Sequence, residues 1–309
     1  MAKVKVAILR EFSKPFSIEY IDKGTIQQGW RRVRVKATGI CGRDVVVWKG
    51  GFKNLKPPLI LGHEVFGELE GRPVGIYPGF ESRDPKRPVI LGEDVQGGYA
   101  EYVDVPWENI VELPSRDYAR YASATCGVAT MIHAARIGGI GCCDRVLVTG
   151  AGGGVGIHGI QYLQMLGVEV YGYTRRPEAA RILKKLGVRV VDALDFHRKT
   201  GKMDFVIEIA GEPTLNESIR ALRFEGTLIL VGNVTGKPLV VERPALLIMR
   251  QIKIMGSAAY SISEYKHAIK LIGEDLIKPF YKVYRLDDVN KAYSDIINGR
   301  IVGRAVLIP

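Results

Sequence analysis

Arg145-Val146-Leu147-Val148-Thr149-Gly150-Ala151-Gly152-Gly153-Gly154-Val155-Gly156 is the stretch that decides the fold. A short β-branched run meets a cluster of glycines, and residues 157–166 continue as a credible helix. Small residues between a strand and a helix let the backbone approach a pyrophosphate, whose negative charge the helix N-terminus favours. The register Ala151-x-Gly153-x-x-Gly156 departs from strict G-x-G-x-x-G, yet its place inside a strand, turn, helix, strand unit points to a dinucleotide. Gly150, Ala151, Gly152, Gly153, Gly154, Val155 and Gly156 are therefore the expected pyrophosphate turn.

Downstream, residues 168–173 form the next strand and end in Tyr173-Thr174-Arg175-Arg176. A site that prefers NAD places a carboxylate here to hold the ribose hydroxyls. None is present, and two guanidinium groups suit an adenosine 2′-phosphate instead. Thr174, Arg175 and Arg176 thus predict NADP(H). The alternation continues with a helix at 177–186, strands at 188–191, 205–209 and 227–231, a helix at 214–223 and a strand at 252–255. Such a series argues for a parallel sheet covered by helices. The tail holds a helix at 287–298 and a closing strand at 305–308, which on pattern alone complete either domain.

Upstream, the first hundred or so residues read as short alternating runs broken by Gly and Pro. Arg32 to Ala37, Leu59-Ile60-Leu61 and Ala100 to Val103 are examples, and together they suggest a mostly β domain. Around 115–141 the texture turns helical and joins the two parts.

A chain of 309 residues with 47% hydrophobic positions and 36 glycines buries a large core and divides into two domains. The net charge of +11 arises from 44 basic residues interspersed with 33 acidic ones. With no basic block, nucleic acid is not an expected partner; a solvated surface and a general attraction for phosphorylated ligands both remain open. The opening alternation lacks a secretory signal, and no apolar run spans a bilayer. A soluble, cytoplasmic protein acting on a small molecule, with no membrane partner, is the expectation.

Four cysteines, at 41, 126, 142 and 143, are too few for a disulfide scaffold. Cys142 and Cys143 are expected as small, partly buried thiols that pair with each other only under strain. Cys41 lies in Gly39-Ile40-Cys41-Gly42-Arg43-Asp44, His63 in Leu61-Gly62-His63-Glu64, and Cys126 in Thr125-Cys126-Gly127. Two thiols and an imidazole are a common ligand set for a catalytic zinc with an open position.

In order along the chain, these segments with Gly97-Gly98-Tyr99-Ala100-Glu101-Tyr102 and the glycine turn resemble the medium-chain dehydrogenase/reductase superfamily, on its zinc alcohol dehydrogenase side. The resemblance runs through nearly the whole chain. It implies an α/β protein: a mostly β GroES-like catalytic domain over 1–118, completed by 263–309, and a Rossmann doubly wound parallel sheet over 119–262. It also implies that Cys41, His63 and Cys126 ligate one catalytic zinc, with Glu64 as the acidic neighbour able to approach it and Asp44 as the carboxylate that orients His63.

Two features depart from the family pattern. The stretch 78–88, where many relatives insert a four-cysteine lobe, has no cysteine, so no second, structural zinc is expected. Arg43 stands where a serine or threonine commonly relays the alcohol proton, and arginine stays protonated. It is left as a surface or cofactor-phosphate residue, or as a holder of a substrate oxygen or carboxylate. Cys-x-Arg-Asp also resembles the archaeal acryloyl-CoA reductase-like branch, where hydride adds to a conjugated carbon.

The leading expectation is a zinc-dependent NADP(H) alcohol dehydrogenase that uses Cys41, His63, Glu64, Asp44 and Arg43. An NADPH-dependent enoyl-CoA or quinone reductase is the alternative, and a catalytically silent nucleotide-binding protein the third reading. The family often dimerises by joining Rossmann sheets edge to edge, so a homodimer or homotetramer is expected, with the strand near 252–255 as the candidate edge.

Overall fold

The computed structural model of the chain describes residues 3–80 and 89–309. Two compact units divide it, Met1–Thr125 with Ile269–Pro309 and Cys126–Ala268. Residues 81–88, most of the cysteine-free stretch, lie outside the described residues.

In the second unit, six strands run Arg189–Val191, Glu169–Tyr173, Arg145–Val148, Met203–Glu208, Leu222–Leu230 and Lys253–Gly256 across one sheet. Every neighbouring pair is parallel. Numbered along the chain, this order is 3-2-1-4-5-6, the doubly wound arrangement whose direction reverses beside the first strand. A sheet covered on both faces needs strands apolar on both faces. Val146, Leu147, Val148, Val206, Ile207, Leu228 and Ile229 are all fully buried. Lys253–Gly256 lies at the sheet edge with Ile254 exposed. The preceding helix, Pro244–Arg250, buries no residue and exposes Ile248 and Met249.

The first unit is built on one long strand, Trp30–Ile40. Its first half pairs with Tyr102–Pro106, and its last residues pair with Arg304–Ile308. Glu64–Leu69 runs antiparallel along its length. Val33, Val35 and Ala37 point into the core on alternate positions. From Ala37 to Ile40 every residue is buried. The closing strand therefore completes this unit, lying parallel to Tyr281–Arg285 on its other side.

Three local expectations are corrected. Leu59-Ile60-Leu61 is not a strand; only Leu59 pairs, in a single bridge to Leu9. Pro57 and Pro58 immediately before it have no N–H to extend a ladder. Ala100 likewise makes one bridge, to Val6, and the regular strand begins at Tyr102. Cys142 and Cys143 are exposed rather than partly buried. The turn Gly141–Asp144 closes through its own backbone, with Asp144 N–H donating to Gly141 O, and leaves both side chains outside the sheet. Among the described residues no helix is long and apolar enough to cross a membrane.

Within the second unit, Glu264 anchors the start of the helix Ile262–Gly273. Ser261 N–H donates to it at 2.7 Å, Arg136 Nε at 2.8 Å and His133 Nδ1 at 3.0 Å. Burial raises its carboxyl, but these donors outweigh burial and hold it down at about 2. A carboxyl depressed on folding stabilises the native state above its unfolded value near 4.5 and loses that contribution as pH falls toward 2. Glu264→Gln is expected to be less stable than the parent at pH 7, with the gap narrowing at pH 3 in urea unfolding. An equal gap at both pH values would contradict this anchor.

Candidate functional site

The strand Trp30–Ile40 ends at Cys41, which caps the helix Gly42–Trp48 in extended backbone geometry. Asp44, in that helix's first turn, accepts a hydrogen bond from Cys41 N–H at 2.7 Å. A first-turn carboxylate suits the positive end of a helix and ties the cap back onto the strand. The same carboxylate accepts from His63 Nδ1 at 3.1 Å and from the Tyr99 hydroxyl at 3.3 Å. Tyr99 in turn lies 3.3 Å from the Tyr293 hydroxyl. With Nδ1 turned to Asp44, Nε2 is the His63 nitrogen that would serve a metal.

Glu64 follows His63 at the start of the neighbouring strand, opposite Gly39. A side chain at position 39 would place its Cβ 2.0 Å from Glu64 Oε2 and 2.4 Å from Ala122 O, so glycine is what admits the carboxylate. Glu64 Oε1 lies 2.9 Å from Arg304 Nη2. Oε2 is buried without a hydrogen-bond partner among the described residues. Burial pushes the Glu64 carboxyl up to about 8, against the pull of Arg304 and with a further push from Cys41. For His63, burial opposes the charge, yet Asp44 beside it carries the imidazole well above its ordinary value.

Cys126 lies on the continuous helix Tyr118–Gly138, directly after Thr125. Ligand atoms of Cys41, His63, Glu64 and Cys126 all fall within 4.8 Å of one another, and all four residues are buried. Two sulfurs, an imidazole nitrogen and a carboxylate oxygen make a donor set that zinc takes. The raised Glu64 carboxyl and its orphaned Oε2 mark a cluster short of positive charge. These residues fit a divalent zinc ion.

Arg43 is not drawn into this cluster. Its guanidinium forks onto Glu93, with Nη2 to Oε2 at 2.8 Å and a second bond from Nε to Oε1. The Phe52 ring lies 4.6 Å from the guanidinium carbon. Arg43 is thereby committed to a carboxylate of its own unit.

The glycine turn lies in the second unit. Gly150 adopts φ +64°, which glycine holds without strain, and Gly153 caps the helix Gly154–Met165. A Cβ at 156 would meet Gly150 O at 2.6 Å, so glycine there lets helix and turn close together. A Cβ at 152 would lie 2.8 Å from Arg176 Nη2. Ala151 N–H donates to Tyr173 O at 3.1 Å, tying the turn to the second strand. Thr174 is buried and accepts from Arg176 N–H at 3.3 Å, while Arg175 is exposed. Burial pulls the Arg176 guanidinium below its ordinary value, with Glu178 opposing. An anion beside Arg176 would relieve that cost. The turn thus brings Gly152, Thr174 and Arg176 together and leaves Arg175 outside.

Several participants escaped the sequence reading. Arg304 carries a signal in hindsight, since it is a charge beside the apolar run Ala305-Val306-Leu307. Glu93 and Tyr293 carry none, because their partners lie far away in the chain. Behind the glycine turn, fully buried Glu208 accepts from Gly211 N–H at 2.8 Å, from the Thr214 hydroxyl at 2.7 Å and from the hydroxyls of Thr149 and Ser218.

Comparison with known proteins agrees with both halves. Residues 27–115 match the alcohol dehydrogenase GroES-like domain, and residues 154–274 match the zinc-binding dehydrogenase family. An acryloyl-coenzyme A reductase of Sulfurisphaera tokodaii is 31% identical over 306 residues, covering 90% of this chain and 91% of the relative. An NAD-dependent alcohol dehydrogenase of Saccharolobus solfataricus is 29% identical, covering 97% and 99%. The solved structure of a thermostable alcohol dehydrogenase from Pyrobaculum aerophilum superposes with a TM-score of 0.91 at 26% identity, covering 99% and 100%.

Proposed function

Because the chain belongs to the medium-chain dehydrogenase/reductase superfamily, in its zinc-containing alcohol dehydrogenase family, we propose that it transfers a hydride between NADP(H) and a small alcohol or carbonyl compound. It is an oxidoreductase of this type; substrate and cofactor choice are the proposal. The observation that carries it is the buried convergence of Cys41, His63, Glu64 and Cys126. These residues would hold one zinc ion, which when bound supplies Lewis acidity toward a carbonyl or hydroxyl oxygen, with two thiolates balancing its charge.

The chain's own contribution is positional. Asp44 fixes the His63 tautomer and ties the Cys41 backbone to the same carboxylate. Arg304 holds Oε1 of Glu64, the oxygen that lies 4.0 Å from His63 Nε2, and so fixes the carboxylate beside the imidazole. Arg43 neither accepts nor relays a proton, being permanently charged and engaged with Glu93. The substrate proton therefore moves by water, a ribose hydroxyl or another side chain.

Residues 119–262 are assigned to the hydride carrier, with Gly150 to Gly156 at its pyrophosphate and Thr174, Arg175 and Arg176 at its adenosine end. Arg176 beside Gly152 supports the 2′-phosphate. One zinc per chain is assigned. The edge strand Lys253–Gly256 with exposed Ile248, Met249 and Ile254 supports a homodimer or homotetramer. A cytoplasmic location completes the assignment.

A second reading has specific support. The Arg43–Glu93 fork stands where a hydroxyl relay is usual, and an acryloyl-coenzyme A reductase is among the relatives, so reduction of a conjugated enoyl thioester is the competing activity.

NADPH oxidation over aldehydes, ketones, quinones and enoyl-CoA esters, with and without a chelator, separates the readings. Carbonyl reduction abolished by the chelator is expected. Consumption of enoyl-CoA alone, unaffected by the chelator, would replace the leading reading with the second, and no turnover at all would leave a silent nucleotide-binding protein. For cofactor choice, Arg176→Ala is expected to raise KM for NADPH by about 10- to 100-fold, the worth of a charged hydrogen-bonded pair, with KM for NADH little changed. An equal change for both cofactors would remove Arg176 from the 2′-phosphate site.

A further inference from the structure

Two thiols lie side by side in the turn that feeds the strand Arg145–Val148, and neither belongs to the site above. Cys142 and Cys143 are both exposed, and their Sγ atoms are 3.2 Å apart. Cys143 holds φ at +71°, a left-handed conformation that residues with a Cβ rarely adopt. The turn enforces it: Gly141 N–H donates to Asp144 Oδ2 at 2.8 Å, and Cys143 N–H donates to Gly167 O at 3.1 Å. Gly167 leaves the room needed, since a Cβ there would lie 3.1 Å from Cys142 Sγ. The backbone thus presents two converging sulfurs on the surface.

The separation of the sulfurs selects what they take. A disulfide needs sulfurs about 2.05 Å apart and Cα atoms about 4.4–6.8 Å apart, whereas consecutive Cα atoms are held at about 3.8 Å by a trans peptide. Closing this pair on itself is therefore strained. A single atom bonded to both sulfurs at about 2.3 Å spans about 3.3 Å when its two bonds meet near a right angle, and about 3.8 Å at the tetrahedral angle. A linear ion at that bond length needs about 4.6 Å. The 3.2 Å separation fits the first geometry. Near-right-angled bonding to sulfur belongs to trivalent arsenic and its heavier congener antimony, which carry a lone pair.

We propose that Cys142 and Cys143 form a bidentate site for trivalent arsenicals of the class R–As=O. The reaction is a condensation in which two S–H bonds break and two S–As bonds form. The oxygen leaves as water with both protons, and arsenic stays trivalent, so no oxidant or reductant takes part. Because the product is read by mass, the site stands or fails independently of the hydride-transfer reading.

The test is intact-mass analysis of the full-length protein with phenylarsine oxide in excess glutathione. One phenylarsenic group per chain, with loss of two hydrogens, is expected to survive the monothiol and to be removed by 2,3-dimercaptopropanol. Cys142→Ser and Cys143→Ser are each expected to weaken retention by about 100-fold or more, because the second thiolate then no longer acts at high effective concentration. Thermal unfolding of both variants serves as the folding control. An adduct that persists in the double variant Cys142→Ser/Cys143→Ser would place the arsenic elsewhere and overturn the proposal. So would a parent adduct that glutathione strips as readily as it does from the single variants, or a parent pair already closed as a disulfide and refractory to the reagent until reduced.

Discussion

The Asp44 carboxylate is the joint on which the first unit's chemistry depends. It takes the Cys41 N–H, the His63 Nδ1–H and the Tyr99 hydroxyl at once, in a place where it is almost wholly buried. Buried carboxylates are tolerated when their lone pairs are filled, and each partner left unsatisfied costs about 1–3 kcal/mol. The three donors come from a strand end, a loop before the next strand and a segment more than thirty residues further on. One side chain therefore sets the cap of a helix, the tautomer of a histidine and the spacing between them.

The strand Trp30–Ile40 delivers the other half of that constraint. Its register puts Gly39 opposite Glu64 and Ile40 opposite Ala305, which brings Arg304 alongside. Glu64 is thus placed by backbone pairing and neutralised in part by a residue from the opposite end of the chain. A one-residue slip would turn every side chain of the strand to the wrong face. The Glu64–Arg304 pair forms only when the closing strand has found its place.

How much of this was legible follows from range. The parallel sheet could be read because its central strands carry short apolar runs, Val146 to Val148, Phe205 to Ile207 and Leu228 to Leu230, and because the Gly150 to Gly156 cluster marks its first crossing. Cys41, His63, Glu64, Cys126 and Asp44 could be read because their order and residue types carry chemistry even when their distances are unknown. Leu59 to Leu61 misled, since apolarity without backbone donors before it does not make a strand. Arg43 could not be resolved until Glu93 was seen beside it, fifty residues away. Tyr293 was silent for the same reason, and the exposure of Cys142 and Cys143 depended on a turn geometry that composition does not encode.

The central claim is that two thiols, an imidazole and a carboxylate are gathered to hold one zinc ion. Zinc K-edge X-ray absorption on the purified protein addresses it most directly. The account predicts one zinc per chain with two sulfur neighbours at about 2.3 Å and lighter nitrogen or oxygen neighbours at about 2.0–2.2 Å. A protein that carries no zinc after growth and purification with the metal supplied, or a spectrum with no sulfur or with four sulfurs around the ion, would contradict it.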